Sequence, residues 1–117
     1  MSEHGRSETL SELEIRILTI LGRDDLHGYG VAKQLQEDQP DGPTILPTNL
    51  YRRLHELVAR GLIANADLTT DDSGRPRKNF TLTAVGRERL GMEAERLAAL
   101  VREIESQALS SPRSPAE

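Results

Sequence analysis

Leu46-Pro47-Thr48-Asn49-Leu50-Tyr51-Arg52-Arg53-Leu54-His55-Glu56-Leu57-Val58-Ala59-Arg60-Gly61-Leu62 is the stretch on which the fold turns. Leu50, Leu54, Leu57 and Val58 fall at the spacing that gathers them on one face of an amphipathic helix. Pro47 suits the first helical position, where its fixed φ is already helical and its missing N–H costs nothing. Gly61 can supply the left-handed residue that ends the helix, with Leu62 folding back onto Leu57. At about 100° per residue, the opposite face carries Thr48, Asn49, Arg52, Glu56 and Ala59, with Arg53 on its flank. Short hydrogen-bonding side chains lead and two arginines follow, as on a helix that probes the major groove. An ordinary surface helix can carry the same face, so the rest of the chain must decide.

The chain has 117 residues, enough for one domain and one modest core. Two Tyr, one Phe and no Trp leave the core to aliphatic side chains, which favours a helical class. Without cysteine there is neither a disulfide framework nor a thiolate metal site, and a cytoplasmic location is expected. Residues 1–8 lack the apolar centre of a signal peptide, and no apolar run approaches the roughly 20 residues of a membrane span. A soluble protein is expected.

The formal charge of −4 argues against nucleic acid only until it is divided. Residues 44–80 carry six basic side chains against four acidic ones, while residues 1–43 carry four against nine. Positive charge therefore collects around the candidate recognition helix, and phosphates respond to the local patch.

Upstream, after a polar start over residues 1–8, Ser11 and Glu14 form a capping box flanked by Leu10 and Ile15 as a hydrophobic staple. The helix they open is expected to bury Leu13, Ile17, Leu18 and Leu21 and to stop at Gly22. A second, shorter helix is read over residues 26–35, with Tyr29, Ala32 and Leu35 on its buried face. Gly28 and Gly30 are poor helix formers, which suggests close packing at its start. His27 is placed there to help begin it. Residues 39–43, Gln-Pro-Asp-Gly-Pro, are a loop on turn chemistry.

Downstream, Ile63, Ala66 and Leu68 fit a short strand loosely, and Phe80 and Leu82 alternate with Asn79, Thr81 and Thr83. Residues 69–78 between them are polar and turn-rich, with Arg75, Arg77 and Lys78 on the returning side and Asp71 and Asp72 opposing their charge. From Thr83, a plausible N-cap, a last helix runs to about Ala108. Leu90, Ala94, Leu97, Val101, Ile104 and Ala108 step by four and three, the pattern of a coiled-coil seam, with Leu100 beside it. Three helices and a hairpin follow the order of a winged helix-turn-helix. The expected fold is mainly α with a small β-hairpin. Residues 9–83 are expected to form a winged helix-turn-helix DNA-binding domain, 84–108 a C-terminal dimerisation helix and 109–117 a disordered tail.

His27-Gly28-Tyr29, Leu50-Tyr51 with Leu54 and Leu57, Gly61-Leu62-Ile63, Gly74-Arg75-Pro76-Arg77-Lys78 and Leu82-Thr83 with Gly86 resemble the PadR-type transcriptional regulators. The match spans roughly residues 10–104 in register. Family members are dimeric winged helix-turn-helix repressors joined by C-terminal helices, and this chain resembles the branch with one such helix. It departs from the family in Thr48-Asn49, where Gly-Thr is common, and in Asn79-Phe80, where two aromatics are common. The resemblance implies a repressor on double-stranded DNA, with room for a small-molecule effector between the subunits. Lacking Trp, the chain offers no obvious aromatic plates for a flat drug.

The residues expected at DNA are Thr48, Asn49, Tyr51, Arg52 and Arg53 on the helix and Arg75, Arg77 and Lys78 on the wing. Arg52 is better aimed than Arg53. Tyr51 is read as packing first and a phosphate contact second. Those expected at the dimer seam are Leu90, Leu97, Leu100, Val101 and Ile104. His4, His27 and His55 are too scattered for a metal site, and no nucleophile-elbow or triad pattern appears. Neither an enzyme nor a cofactor is expected. A winged-helix module that binds a protein through the same face is the alternative.

Overall fold

The computed structural model describes residues 9–70 and 73–108, and the residue-specific expectations at 1–8, Asp71, Asp72 and 109–117 lie outside them. The elements are α1 (Glu12–Arg23), β1 (Leu26–His27), α2 (Gly28–Asp38), α3 (Pro47–Ala59), β2 (Ile63–Thr70), β3 (Pro76–Leu82) and α4 (Ala84–Ala108).

The capping box at the start of α1 is present in both directions. Ser11 Oγ accepts the Glu14 N–H at 3.1 Å, and Glu14 Oε1 accepts the Ser11 N–H at 2.9 Å. The helix does not stop at Gly22, as its sequence suggests, but continues through Arg23 to an Asp24 cap whose N–H reaches the Ile20 carbonyl. Gly22 remains helical and faces Leu82, whose Cδ2 would lie 3.4 Å from an added Cβ.

Leu26 and His27 are not the first turn of α2. They form a short strand, with Leu26 opposite Phe80 and His27 opposite Asn79, so the sheet has three antiparallel strands in the order β1-β3-β2. Two residues are too few for alternation to show in sequence. His27 does start α2, its Nδ1 accepting the Gly30 N–H at 3.0 Å. Val31 takes the buried place expected for Tyr29, which points outward and stacks beside His27. The helix also runs past Leu35 to Asp38. There Gln34 (2.9 Å) and Arg23 (3.2 Å) hold the carboxyl below its ordinary pKa range.

α3 ends in the glycine motif its sequence announces. Gly61 has φ +78°, the Gly61 N–H reaches the Val58 carbonyl at 2.9 Å, and the Leu62 N–H reaches Leu57 at 3.1 Å. That turn is tied to the last helix. The Thr83 N–H donates to the Leu62 carbonyl at 3.1 Å, its hydroxyl donates to Gly61 at 2.6 Å, and its Oγ1 accepts the Gly86 N–H at 2.9 Å. Gly86 packs so closely on the Leu62 carbonyl that a Cβ there would collide with it.

The strands are longer than the sequence suggests, so Arg77 and Lys78 lie on β3 itself, opposite Thr69 and Leu68. A register shift between Asn65 and Leu68 explains the uneven step from Ile63 to Ala66, because a bulge resets the period of two. Ile17, Leu18 and Leu21 of α1, Val31 of α2, Leu50, Leu54 and Leu57 of α3, and Phe80 and Leu82 of β3 meet in one core. Burying these aliphatic faces against one another stabilises the arrangement and fixes how α3 is rotated.

Candidate nucleic-acid interface

Rotation of α3 is decided by its apolar stripe. With Leu50, Leu54 and Leu57 inside, Thr48, Asn49, Arg52 and Glu56 must face solvent, and they do. Leu46, at the N-cap, provides no side-chain hydrogen bond to the first turn. The N–H groups of Thr48 and Asn49 therefore sit at a helix start whose partial positive charge suits a phosphate.

Arg52 and Asn49 form a unit. Arg52 Nη2 donates to Asn49 Oδ1 at 3.2 Å, and both side chains are exposed. The neutral partner orients the guanidinium without cancelling its charge, and the Asn49 amide keeps its NH₂ donors. Such a pair can present donors to guanine O6/N7 through Arg and to adenine through Asn.

Tyr51 does what its place at the edge of the stripe suggests. Its side of α3 meets α2 at Gly28, where an added Cβ would sit 2.6 Å from Cε1, Cζ and Oη of the ring. The residue remains 42 % exposed, so the phenol both packs and faces solvent. With glycine at 28 the ring rests directly against the α2 backbone; any larger residue there would turn the Tyr51 ring aside.

His55 lies beside this unit and was given no role by the sequence reading. With Pro47, Thr48, Tyr51, Arg52 and Ala59 it lines a shallow, open concavity. The signal was available: His55 is three positions beyond Arg52, hence its neighbour on the helix surface.

Arg53 is placed differently from Arg52. Its Nη1 is 3.3 Å from Glu56 Oε1 and 3.6 Å from Glu14 Oε2, so it leans along the flank toward α1. On the wing, Arg75 and Lys78 are exposed and Arg77 is half-buried. Gly74 turns the chain ahead of them with φ +87°.

α4 offers a second candidate surface. Leu90 packs on the core, and the buried Glu93 pairs with Arg96 at 2.9 Å and Arg89 at 3.8 Å. Beyond it, Leu97, Leu100, Val101 and Ile104 are 37 % to 55 % exposed. Among the described residues, no group of three or more metal-ligating side chains comes together, and no helix is long and apolar enough to cross a membrane.

Comparison with known proteins agrees with this geometry. The model of the Transcriptional regulator PadR-like family matches residues 17–92. The transcriptional regulator Rv3488 of Mycobacterium tuberculosis is 29 % identical over 92 residues, covering 79 % of this chain and 81 % of its own. A Streptococcus transcriptional regulator superposes with a TM-score of 0.70 at 28 % identity, covering 80 % of this chain and 89 % of that one. Bacillus subtilis PadR in complex with operator DNA superposes with a TM-score of 0.62 at 24 % identity, covering 72 % of this chain and 48 % of that one.

Proposed function

The chain belongs to the PadR-like family of transcriptional regulators, and from that premise we propose that it represses transcription as a homodimer bound to a two-fold symmetric DNA operator. The observation that carries the proposal is the Asn49–Arg52 pair, exposed on a helix whose opposite face is locked in the core. A base-reading helix needs that combination of donor groups and fixed rotation. The likeness to a PadR that binds operator DNA supports the same use of the fold.

In this reading Arg52 and Asn49 contact base edges, and Thr48 and Tyr51 contact phosphate. Arg75, Arg77 and Lys78 of the wing hold the backbone. Arg53, expected from sequence among these contacts, has the supporting part argued below. Leu97, Leu100, Val101 and Ile104 form the dimer seam between two copies of α4, because an apolar stripe left half in water is covered by a second copy, and Leu90, which packs on its own core, stands at the near end of that stripe. The family resemblance alone extends this proposal to a small-molecule effector between the subunits, with the cytoplasm as the site of action.

A closed dimer turns two copies of α3 toward the duplex in opposite directions, so the operator reads as an inverted repeat. Half-site centres are expected about 34 Å, one helical turn, apart or a multiple of it. Footprinting of genomic fragments at two salt concentrations tests this. A symmetric footprint that weakens steeply with salt, and is lost when five base pairs separate the half-sites, supports it. A single asymmetric half-site indifferent to that insertion rules out the geometry. Absence of any salt-sensitive complex favours a protein-binding module instead.

A further inference from the structure

Arg53 on α3 and Arg60 at its C-cap are seven positions apart, so they share a flank roughly 100° from the face of Arg52. Both approach one oxygen of α1. Glu14 Oε2 lies 3.6 Å from Arg53 Nη1 and 3.6 Å from Arg60 Nη1. Oε1 of the same carboxylate is already engaged, accepting the Ser11 N–H at 2.9 Å. The Glu14 side chain is only 8 % exposed, against 34 % for Arg53 and 27 % for Arg60. Its two oxygens have separate duties, one to cap α1 and one to face the guanidinium groups of α3.

The two flanks of α3 thus differ in how their charge is answered. Arg52 has a neutral partner, so its full charge remains available to DNA. Arg53 and Arg60 face the buried carboxylate of Glu14, and Arg53 also meets the exposed Glu56, so part of their charge is answered inside the chain, where salt screens it less than it screens a surface pair. Non-specific DNA binding scales with the number of phosphates a protein neutralises, whereas specificity is a difference between two affinities. A protein that withholds arginines from the backbone lowers the non-specific term and leaves base reading untouched.

We propose that Glu14 is a specificity-determining residue acting through Arg53 and Arg60. It withdraws these two guanidinium groups from the phosphate-binding set, so that Arg52 decides between sites. The inference rests on the DNA-binding reading above. It assigns to a residue of α1, remote in sequence from the recognition helix, control over how indiscriminately that helix binds.

Glu14→Gln is the informative change. Glutamine still accepts the Ser11 N–H through its carbonyl oxygen, which preserves the cap, but it turns an NH₂ donor toward two cations. The hold of Glu14 on both guanidinium groups is then lost, and Arg53 keeps only its exposed carboxylate neighbour Glu56 at 3.3 Å on the helix surface, a contact that yields readily to phosphate. Binding to a random-sequence duplex of about 30 base pairs, measured by fluorescence anisotropy across a salt series, should show a steeper slope of log K against log salt, by roughly one for the phosphate that Arg53 gains. Adding Arg53→Gln to Glu14→Gln should remove about one unit of that gain. Ser11→Ala is the structural control, since it removes the side-chain cap and leaves the charges alone: it should lower Tm without moving the slope.

A folded Glu14→Gln protein with the wild-type slope overturns the inference while leaving the DNA-binding reading intact. A wild type that binds no duplex even at low salt overturns both. If Glu14→Gln does not fold, Arg53→Gln in the wild type decides. An unchanged slope supports the masking of Arg53, and a slope shallower by about one shows that Arg53 already meets phosphate and ends the idea.

Discussion

α3 and α4 are both amphipathic helices carrying several arginines, but they differ in where their apolar faces go. α3 buries Leu50, Leu54 and Leu57 almost completely within its own chain, while α4 leaves Leu97, Leu100, Val101 and Ile104 half in water. The surroundings account for the difference. α3 is enclosed by α2 and the sheet and closed by the Gly61 turn, whereas α4 beyond Glu93 runs past the core that α1 and β3 supply. A helix whose apolar face is satisfied inside its chain can offer its polar face to a ligand. A helix whose apolar face is unsatisfied offers that face.

The largest effect that would test this contrast is truncation inside α3. Leu54→Ala removes a fully buried side chain and should destabilise the protein by about 2–5 kcal/mol, read from urea unfolding. A loss below about 1 kcal/mol would mean that α3 is not anchored as described.

Charging α4 should act on assembly instead. Leu97→Glu with Val101→Glu should halve the mass seen by light scattering, while the isolated winged domain keeps its helical circular dichroism. A wild type that scatters as a single chain at high micromolar concentration would contradict the assignment of the seam.

On the polar face of α3 the effect moves from folding to binding. Arg52→Ala should cost about 1–3 kcal/mol on the operator and relax base preference at the position it contacts, with Tm unchanged. The smallest effect is expected on the wing. Arg77→Ala should weaken all sequences alike and reduce the salt slope by about one. Equal losses on specific and random DNA from both substitutions would erase the distinction between a reading helix and a holding wing.

Much of this was written locally and could be read locally. The Ser11–Glu14 box, the stripe of α3, Pro47 at its first position, the left-handed Gly61 and the Thr83 start of α4 each depend on residues within one or two turns of each other. Sequence spacing captures such relations because helix geometry fixes them. The α3 face with Thr48, Asn49 and Arg52 follows from the same periodicity, once the opposite stripe is known to be buried.

Contacts between distant segments were decided only by the tertiary structure. Leu26 and His27 pair with β3 as a strand, and the helix continues through Gly22 to an Asp24 cap, with Leu82 of β3 beside it. Gly28 lies under the Tyr51 ring, which arrives there from another helix. Arg52 and Arg53 are adjacent and chemically identical in the sequence. Helical periodicity already turns Arg52 outward and Arg53 to the flank, and Asn49 stands one turn before Arg52, but only the folded chain brings Glu14 from α1 to within 3.6 Å of Arg53. Charge is a property of a residue, but whether it is available to a partner depends on what the fold places beside it.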